Sequence, residues 1–168
     1  MARIIQNNWR LYKSKSGVEF SFAERTKEKK DNEIVEKVIY LSAANKDGAD
    51  HPNWNNAIRI MLSTKDVVDM LYAVKKAKFP KDKALVTHDP GAGNSSTKGQ
   101  EFKYLNFMKA DMGDFFLLNV GSKKGEEKKN VSIAFTPPEL YALGVFLEAA
   151  LPLMQGISYD HNRSERVN

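Results

Sequence analysis

The sequence contains no cysteine, which excludes disulfide bonds, thiolate metal sites, iron–sulfur clusters and cysteine nucleophiles. It has three histidines, His51, His88 and His161, which are too few and too scattered to indicate a histidine-built metal site. No apolar run approaches the roughly 20 residues that cross a bilayer. The N-terminus also lacks the apolar core of a secretion signal. These absences predict a protein that uses no metal or cofactor, contacts no membrane and acts in the cytoplasm.

What remains is an ordinary globular composition. The chain has 168 residues, of which 42% are hydrophobic and 28% are charged. The formal net charge is +5, and the whole excess lies in the first half of the chain. Residues 1–80 hold 15 Lys or Arg against 10 Asp or Glu, whereas residues 81–168 hold 11 of each. This excess favours an anionic partner without requiring one, because many basic proteins bind no nucleic acid.

Two segments have the pattern of capped helices. The first follows Ser63, and Asp66 supplies the acidic residue of a capping box three positions later. The second follows Thr136, where proline is tolerated in the first turn and Glu139 completes the box. Pro152 should end or kink this second helix, because it lacks a backbone N–H.

Almost everything else has the alternation and the β-branched or aromatic content of strands. Before the first helix the predicted strands are residues 9–13, 18–24, 35–44 and 54–62, and before the second they are residues 84–88, 102–110, 115–120 and 130–135. The pattern predicts an α+β fold of two ββββα units, each an antiparallel four-stranded sheet packed on helices. We expect a single domain over residues 1–156, divided into units at 1–80 and 81–156, followed by a polar tail at 157–168.

The two units also correspond residue by residue where each last strand meets its helix. A shift of 73 residues aligns Ile58 with Val131, Ile60 with Ile133, Leu62 with Phe135, Ser63 with Thr136 and Asp66 with Glu139. The two residues of each aligned pair have the same chemical character, which we interpret as an internal duplication. The alternative is that any amphipathic strand leading into a capped helix would align in this way.

Four antiparallel strands followed by one helix, present twice, resemble the PUR-repeat, Whirly and PC4-like family of single-stranded nucleic-acid-binding proteins. The resemblance rests on this topology, on the repeat and on the two strand-to-helix junctions at residues 60–66 and 133–139. It implies that each sheet packs one face on helices and offers the other face to unpaired bases. It therefore implies a non-enzymatic protein that binds single-stranded DNA or RNA.

Side chains alternate between the two faces of a strand, so the candidate binding residues can be assigned to a face. In the first unit the face away from the core would carry Arg10, Tyr12, Tyr40 and Arg59. In the second unit it would carry Lys103, Phe107 and Lys109, or, on the other parity, Phe102 and Tyr104. Rings stack on unpaired bases at about 1–3 kcal/mol each while cations bind phosphates. Each ring could instead be a cross-strand packing residue.

The second helix has more apolar surface than a single core requires. Over residues 140–154 its only charged residue is Glu148, and Tyr141, Val145 and Phe146 lie outside the main apolar stripe. An exposed apolar patch of this kind usually marks an interface. We therefore predict a homo-oligomer, either a two-fold dimer or a higher closed ring as in Whirly-like relatives. The alternative is that the first helix and the second sheet cover these residues.

A second class of function stays open from the sequence, that of a protein–protein interaction or structural assembly module without nucleic-acid binding. Catalytic signals are weak. The glycine-rich segment 91–99 lacks the Gly-Lys-Ser/Thr of a phosphate loop and precedes a strand rather than a helix. No spacing of acidic residues and histidines places proton-transfer partners together. We predict that the protein is not an enzyme.

Overall fold

The structure is a computed structural model that describes residues 3–29, 32–89 and 101–156. Its elements are β1 (Arg3–Tyr12), β2 (Ser16–Lys29), β3 (Asn32–Asn45), β4 (Ile58–Leu62), α1 (Thr64–Lys76), β5 (Val86–His88), β6 (Phe102–Lys109), β7 (Phe116–Lys124), β8 (Glu127–Phe135) and α2 (Pro137–Met154). This order confirms the predicted α+β fold of two ββββα units. The predicted tail at 157–168 and the glycine-rich segment 91–99 lie outside the described residues.

The eight strands form two antiparallel sheets in which each strand pairs with its neighbours in the chain. Sheet 1 contains β1 to β4, and sheet 2 contains β5 to β8. The inner faces of both sheets belong to one hydrophobic cluster, to which α1 and α2 also contribute. Buried and accessible residues alternate along β4 and at the end of β8, so the opposite face of each sheet points outward.

The strand registers show equivalent rows of residues in the two sheets. One buried row across sheet 1 is Phe20, Leu41 and Ile60, and the corresponding row across sheet 2 is Phe107, Leu118 and Ile133. The 73-residue shift found in the sequence therefore matches positions that are also equivalent in the two sheets. That the units arose by duplication, and the division of the domain at residue 80, stay predictions.

Aromatic rings join the two sheets. Trp9 of β1 stacks on Phe135 of β8 with ring centroids 5.7 Å apart. Phe135 in turn meets Phe107 of β6 edge to face at 5.4 Å. Phe79, from the segment after α1, stacks on Phe107 at 5.2 Å. Because Trp9 and Phe135 join sheet 1 to sheet 2, and the inner residues of both sheets form one cluster, each sheet depends on the other to bury its inner face.

Both helices begin at the predicted capping boxes. At α1 the N–H of Ser63 donates to the Asp66 carboxylate at 2.8 Å. At α2 the N–H of Thr136 donates to the Glu139 carboxylate, also at 2.8 Å. Lys13 Nζ, from the turn between β1 and β2, donates to that same carboxylate at 2.6 Å. The start of α2 is thus tied both to its own backbone and to sheet 1.

Most predicted boundaries differ in detail from the observed ones. The pattern of residues 54–62 predicts one strand, but β4 begins only at Ile58, and Trp54–Asn56 form a 3-10 turn instead. The asparagines around Trp54 favour turns over strand pairing. The second helix contains Pro152 in its last turn and ends at Met154. Among the described residues no helix has the length and apolarity to span a membrane.

The ion pair of Lys13 with Glu139 should make stability depend on pH. Burial raises the pKa of the Glu139 carboxyl, but hydrogen bonds from Lys13 and Thr136 lower it by more, so its pKa lies below the ordinary value. A carboxyl with a depressed folded pKa stabilises the fold above its unfolded pKa. That contribution is lost as the pH falls through the folded pKa.

We therefore expect Glu139→Gln to lower the thermal midpoint at neutral pH and to have no effect in strong acid. Glutamine preserves the capping hydrogen bond, so the substitution removes mainly the charge. Thermal unfolding followed by circular dichroism from about pH 7 to about pH 2 measures the difference. Glu126→Gln, which removes an exposed loop carboxylate, is the control and should parallel the original protein throughout. A Glu139→Gln deficit that is as large in acid as at neutral pH would contradict the expectation.

Candidate nucleic-acid interface

The outer face of sheet 1 brings together the two arginines that the sequence singles out. One row across the four strands consists of Arg10, Glu19, Ser42 and Arg59. Arg10 and Arg59 are thus separated by three strand spacings, or about 14 Å. Both residues are exposed. The structure therefore places one cation at each edge of this face.

Two aromatic rings lie next to this row. Tyr12 is 46% exposed, and its ring centroid is 6.1 Å from that of Trp54, with the planes tilted by 49°. Trp54 lies in the 3-10 turn before β4, where its carbonyl accepts a hydrogen bond from the Arg59 guanidinium at 3.3 Å. We call Arg10, Tyr12, Trp54 and Arg59 the arginine–aromatic surface.

Trp54 is the member of this surface that sequence reasoning missed. The strand pattern assigned it to residues 54–62 and gave it no role. The signal that could have found it is a tryptophan between asparagines in a segment with turn chemistry, where a large ring has no strand neighbours to pack on. Its position beside Tyr12 depends on the pairing of β1 with β2, which no local pattern encodes.

A glycine determines how Tyr12 lies on the sheet. Gly17 of β2 pairs with Tyr12 across the strands. A Cβ atom at Gly17 would come within 2.8 Å of Tyr12 Cδ1 and 2.6 Å of Pro52 Cγ. The absence of a side chain therefore lets the tyrosine ring lie over the backbone of β2. The exposed part of the ring faces solvent.

The two arginines differ in their electrostatic surroundings. Arg10 Nε donates to the Glu19 carboxylate at 2.7 Å, and this hydrogen bond raises the pKa of Arg10 above its ordinary value. Glu19 also accepts hydrogen bonds from Asn8 and Ser21 at 2.9 and 2.6 Å. Arg59 makes no ion pair with any residue that the structure describes. A phosphate could therefore bind Arg59 directly but must compete with Glu19 for Arg10.

The remaining predicted residues lie in three different places. Tyr40 is half-buried on the outer face of sheet 1, between Ser21 and Met61. Lys103 Nζ donates to the Arg59 carbonyl at 3.0 Å, which puts it beside the arginine–aromatic surface. Lys109 is at the other end of β6, about 20 Å from Lys103 at the usual strand rise, and lines a separate cleft.

The prediction that Phe107 lies on an exposed face is wrong, since its side chain is only 1% exposed and packs in the core. The odd-numbered residues in the middle of β6 point inward, as the burial of Leu105 also shows. The outward parity is the alternative one, that of Phe102 and Tyr104, whose ring centroids are 6.1 Å apart. Both rings are half-buried.

Sheet 2 repeats the combination of a tyrosine and a glycine. Tyr104 pairs with Gly121 across β6 and β7, and any Cβ at Gly121 would overlap the Tyr104 ring. In the neighbouring row Phe102 pairs with Lys123, which pairs with Lys128. Both lysines are exposed. The outer face of sheet 2 thus also has rings next to cations.

The predicted oligomer residues are divided between two faces of α2. Tyr141 is 75% exposed and Val145 is 49% exposed, one helical turn apart. Phe146 instead packs against the monomer's own core, with its ring centroid 6.5 Å from that of Phe20. The prediction that all three residues lie outside the core is therefore wrong for Phe146, because the next position along a helix is turned by about 100°.

The described residues contain no group of three or more His, Asp or Glu side chains placed to hold a metal ion. The candidate binding residues that are accessible are thus cations and rings on sheet faces. Such an arrangement can bind an anionic chain with exposed aromatic bases.

Comparisons with known proteins agree with this reading of the fold. The family model described as Whirly transcription factor matches residues 11–146. Among solved structures, WHY1 from Arabidopsis thaliana superposes with a TM-score of 0.69 at 17% identity, covering 95% of this chain and 96% of that chain. WHY3 from Arabidopsis thaliana gives 0.70 at 18% identity, covering 90% of each chain.

The plant transcriptional regulator PBF-2 gives a TM-score of 0.69 at 17% identity, covering 89% of this chain and 82% of that chain. No curated protein sequence matches the chain significantly. At these identities the structural matches show the fold, and the family model covers most of the chain.

Proposed function

Because the chain belongs to the Whirly family, we propose that it binds single-stranded DNA on the outer face of sheet 1. The family is one of single-stranded DNA-binding transcription regulators. The observation that carries the proposal is the arginine–aromatic surface, where two exposed cations flank two neighbouring rings.

Each part of this surface has a distinct task. The Tyr12 and Trp54 rings stack on bases, at about 1–3 kcal/mol for each base. Arg59, which has no carboxylate partner among the described residues, takes the first phosphate. Arg10 binds a second phosphate when it gives up its ion pair with Glu19. Lys103 lies next to the Arg59 backbone but forms an ion pair with Glu101 at 3.1 Å, so a phosphate must compete with Glu101 for it.

This division of tasks favours unpaired strands. A duplex keeps its base faces stacked on one another, so only a single strand offers free faces to Tyr12 and Trp54. Duplex DNA is thus the first control, and an RNA homopolymer tests whether the sugar matters. RNA binding and a cytoplasmic location stay predictions from the sequence.

Fluorescence polarisation with labelled oligo-dT at several salt concentrations tests the two arginines. Arg10→Ala with Arg59→Ala should weaken binding and reduce the salt slope by about 1.4, since each lost phosphate contact removes about 0.7 for single strands. Tyr12→Ala should weaken binding about 5- to 150-fold, whereas Tyr12→Phe keeps the ring and should bind nearly normally.

The matched control is Lys78→Ala with Lys81→Ala, which removes two exposed charges from a loop outside the arginine–aromatic surface. If it reduces affinity and slope as much as the arginine pair, the arginine–aromatic surface has no special role in binding DNA. Equal affinity for oligo-dT and for a duplex at moderate salt would contradict the preference for single strands. Unchanged binding by the folded arginine variant would mean that another face binds DNA.

Glu19 should compete with the DNA phosphate for Arg10. Glu19→Gln keeps hydrogen-bonding capacity toward Asn8 and Ser21 but releases the Arg10 guanidinium. We expect tighter oligo-dT binding, because Arg10 no longer has to break its ion pair with Glu19 before it binds a phosphate. Glu126→Gln, which removes the same charge from an exposed loop, is the control and should leave the affinity unchanged. Equal behaviour of the two variants would show that Arg10 does not bind phosphate.

We also infer that the protein self-associates through the exposed face of α2. Tyr141 and Val145 border an apolar groove of about 590 Å³ between α1 and α2. The exposed Val68 and Tyr72 of α1 enlarge the apolar surface of the helical layer. A second copy of the chain would bury these side chains symmetrically against their own equivalents.

Light scattering during size-exclusion chromatography should give a mass of at least twice 19.0 kDa. Val145→Glu should lower that mass, because it places a charge in the contact. Phe146→Ala tests the opposite role: it should destabilise the fold, since Phe146 packs on the monomer's own core. A monomer at high micromolar concentration would exclude the oligomer.

A further inference from the structure

The edge of sheet 2 is only partly closed. β5 pairs with β6 from Val86 opposite Leu105 to His88 opposite Lys103. β7 pairs with the other side of β6 along its whole length. Past Leu105 no described strand pairs with the open side of β6. The second half of this strand is therefore an unprotected sheet edge.

Backbone direction identifies the groups at this edge. The Leu105 carbonyl accepts a hydrogen bond from the Leu85 N–H at 2.9 Å, so the backbone of Leu105 points toward the β5 side. Backbone groups alternate sides along an antiparallel strand. The N–H and C=O of Phe107 and Lys109 therefore point to the same, open side. No described residue forms a hydrogen bond with them.

A basic cleft of about 1040 Å³ lies along this edge. One wall is residues 77–84, the segment between α1 and β5, and the other is residues 106–111. Four lysines line it against two carboxylates: Lys78, Lys81, Lys83 and Lys109 against Asp82 and Asp111. The four lysines are all exposed, so the cleft presents a net positive charge next to unpaired backbone groups.

We propose that this cleft binds an extended acidic peptide of a partner protein, which adds a strand to β6. Strand addition supplies the missing backbone partners of Phe107 and Lys109. Acidic side chains of the peptide meet the lysines of the cleft, and the half-exposed Met108 contacts its apolar positions on the outer face. Lysines on an edge normally discourage pairing with other strands, and an acidic strand turns that repulsion into attraction.

The chemistry of the cleft favours a peptide over a nucleic acid. Charge does not separate the two ligands, because Asp82 and Asp111 repel phosphates and peptide carboxylates alike. The two aromatic rings that line the cleft, Phe79 and Phe107, are stacked on each other, and Phe107 is buried, so neither is an open stacking platform for a base. Alternating backbone donors and acceptors match a peptide backbone rather than a sugar–phosphate one.

The experiment is polarisation of a labelled peptide of alternating glutamate and valine, titrated with the full chain. The same peptide with N-methyl groups on alternate residues cannot complete the ladder and should bind at least ~10-fold more weakly. A lysine–valine peptide should not bind. Lys81→Glu with Lys83→Glu should also lower the affinity for the acidic peptide about 10-fold or more. Arg10→Ala with Arg59→Ala should leave this affinity unchanged.

Two substitutions at Lys109 separate the effect of its charge on peptide binding from the effect of its backbone N–H. Lys109→Ala removes the charge and keeps the N–H, whereas Lys109→Pro also removes the N–H that points away from β7, a place where edge strands tolerate proline. We expect the proline variant, folded by its thermal midpoint, to bind the acidic peptide more weakly than the alanine variant.

Equal affinities of the two Lys109 variants, or of the peptide and its N-methylated form, would overturn strand addition. If oligo-dT displaces the peptide and the Lys81→Glu, Lys83→Glu variant loses oligo-dT affinity, the cleft is a nucleic-acid site and the proposal is wrong.

Discussion

The stacking of Trp9 on Phe135 is the contact on which the rest of the molecule depends, because it joins two sheets that each need the other to cover an apolar face. From Phe135 the aromatic contacts continue through Phe107 to Phe79. The helix of the second unit is then tied back to sheet 1 by Lys13 and Glu139. With both inner faces used for stability, the outer faces and the open edge are the surfaces left for function.

Sequence reasoning succeeded where the determining interactions are local. Capping boxes are encoded within four residues, so the starts of both helices were found from Ser63 and Thr136 alone. Strand order was found because each strand pairs with its chain neighbour. It failed on parity in β6, where Phe107 and Tyr104 are equally aromatic. Phe107 is the buried one because it packs on Phe79 and Phe135, contacts between separate segments that no local pattern encodes.

The candidate site shows the same limit. Alternation along a strand was enough to put Arg10, Tyr12 and Arg59 on one face. It could not show that Glu19 forms an ion pair with Arg10, or that Trp54 lies beside Tyr12, because both contacts depend on how separate segments meet in space. Lys103 and Lys109 share a parity, yet their surroundings differ because one end of β6 is covered by β5 and the other end is not.

The glycines beneath Tyr12 and Tyr104 have a consequence for the thermodynamics of association. A tyrosine on an ordinary strand loses rotamer freedom when a ligand stacks on it, and this loss subtracts from the free energy of the contact. Over Gly17 and Gly121 the rings already lie against the backbone in the free protein. Their ordering cost belongs to folding, so a base that stacked on either ring would do so with little further loss of entropy.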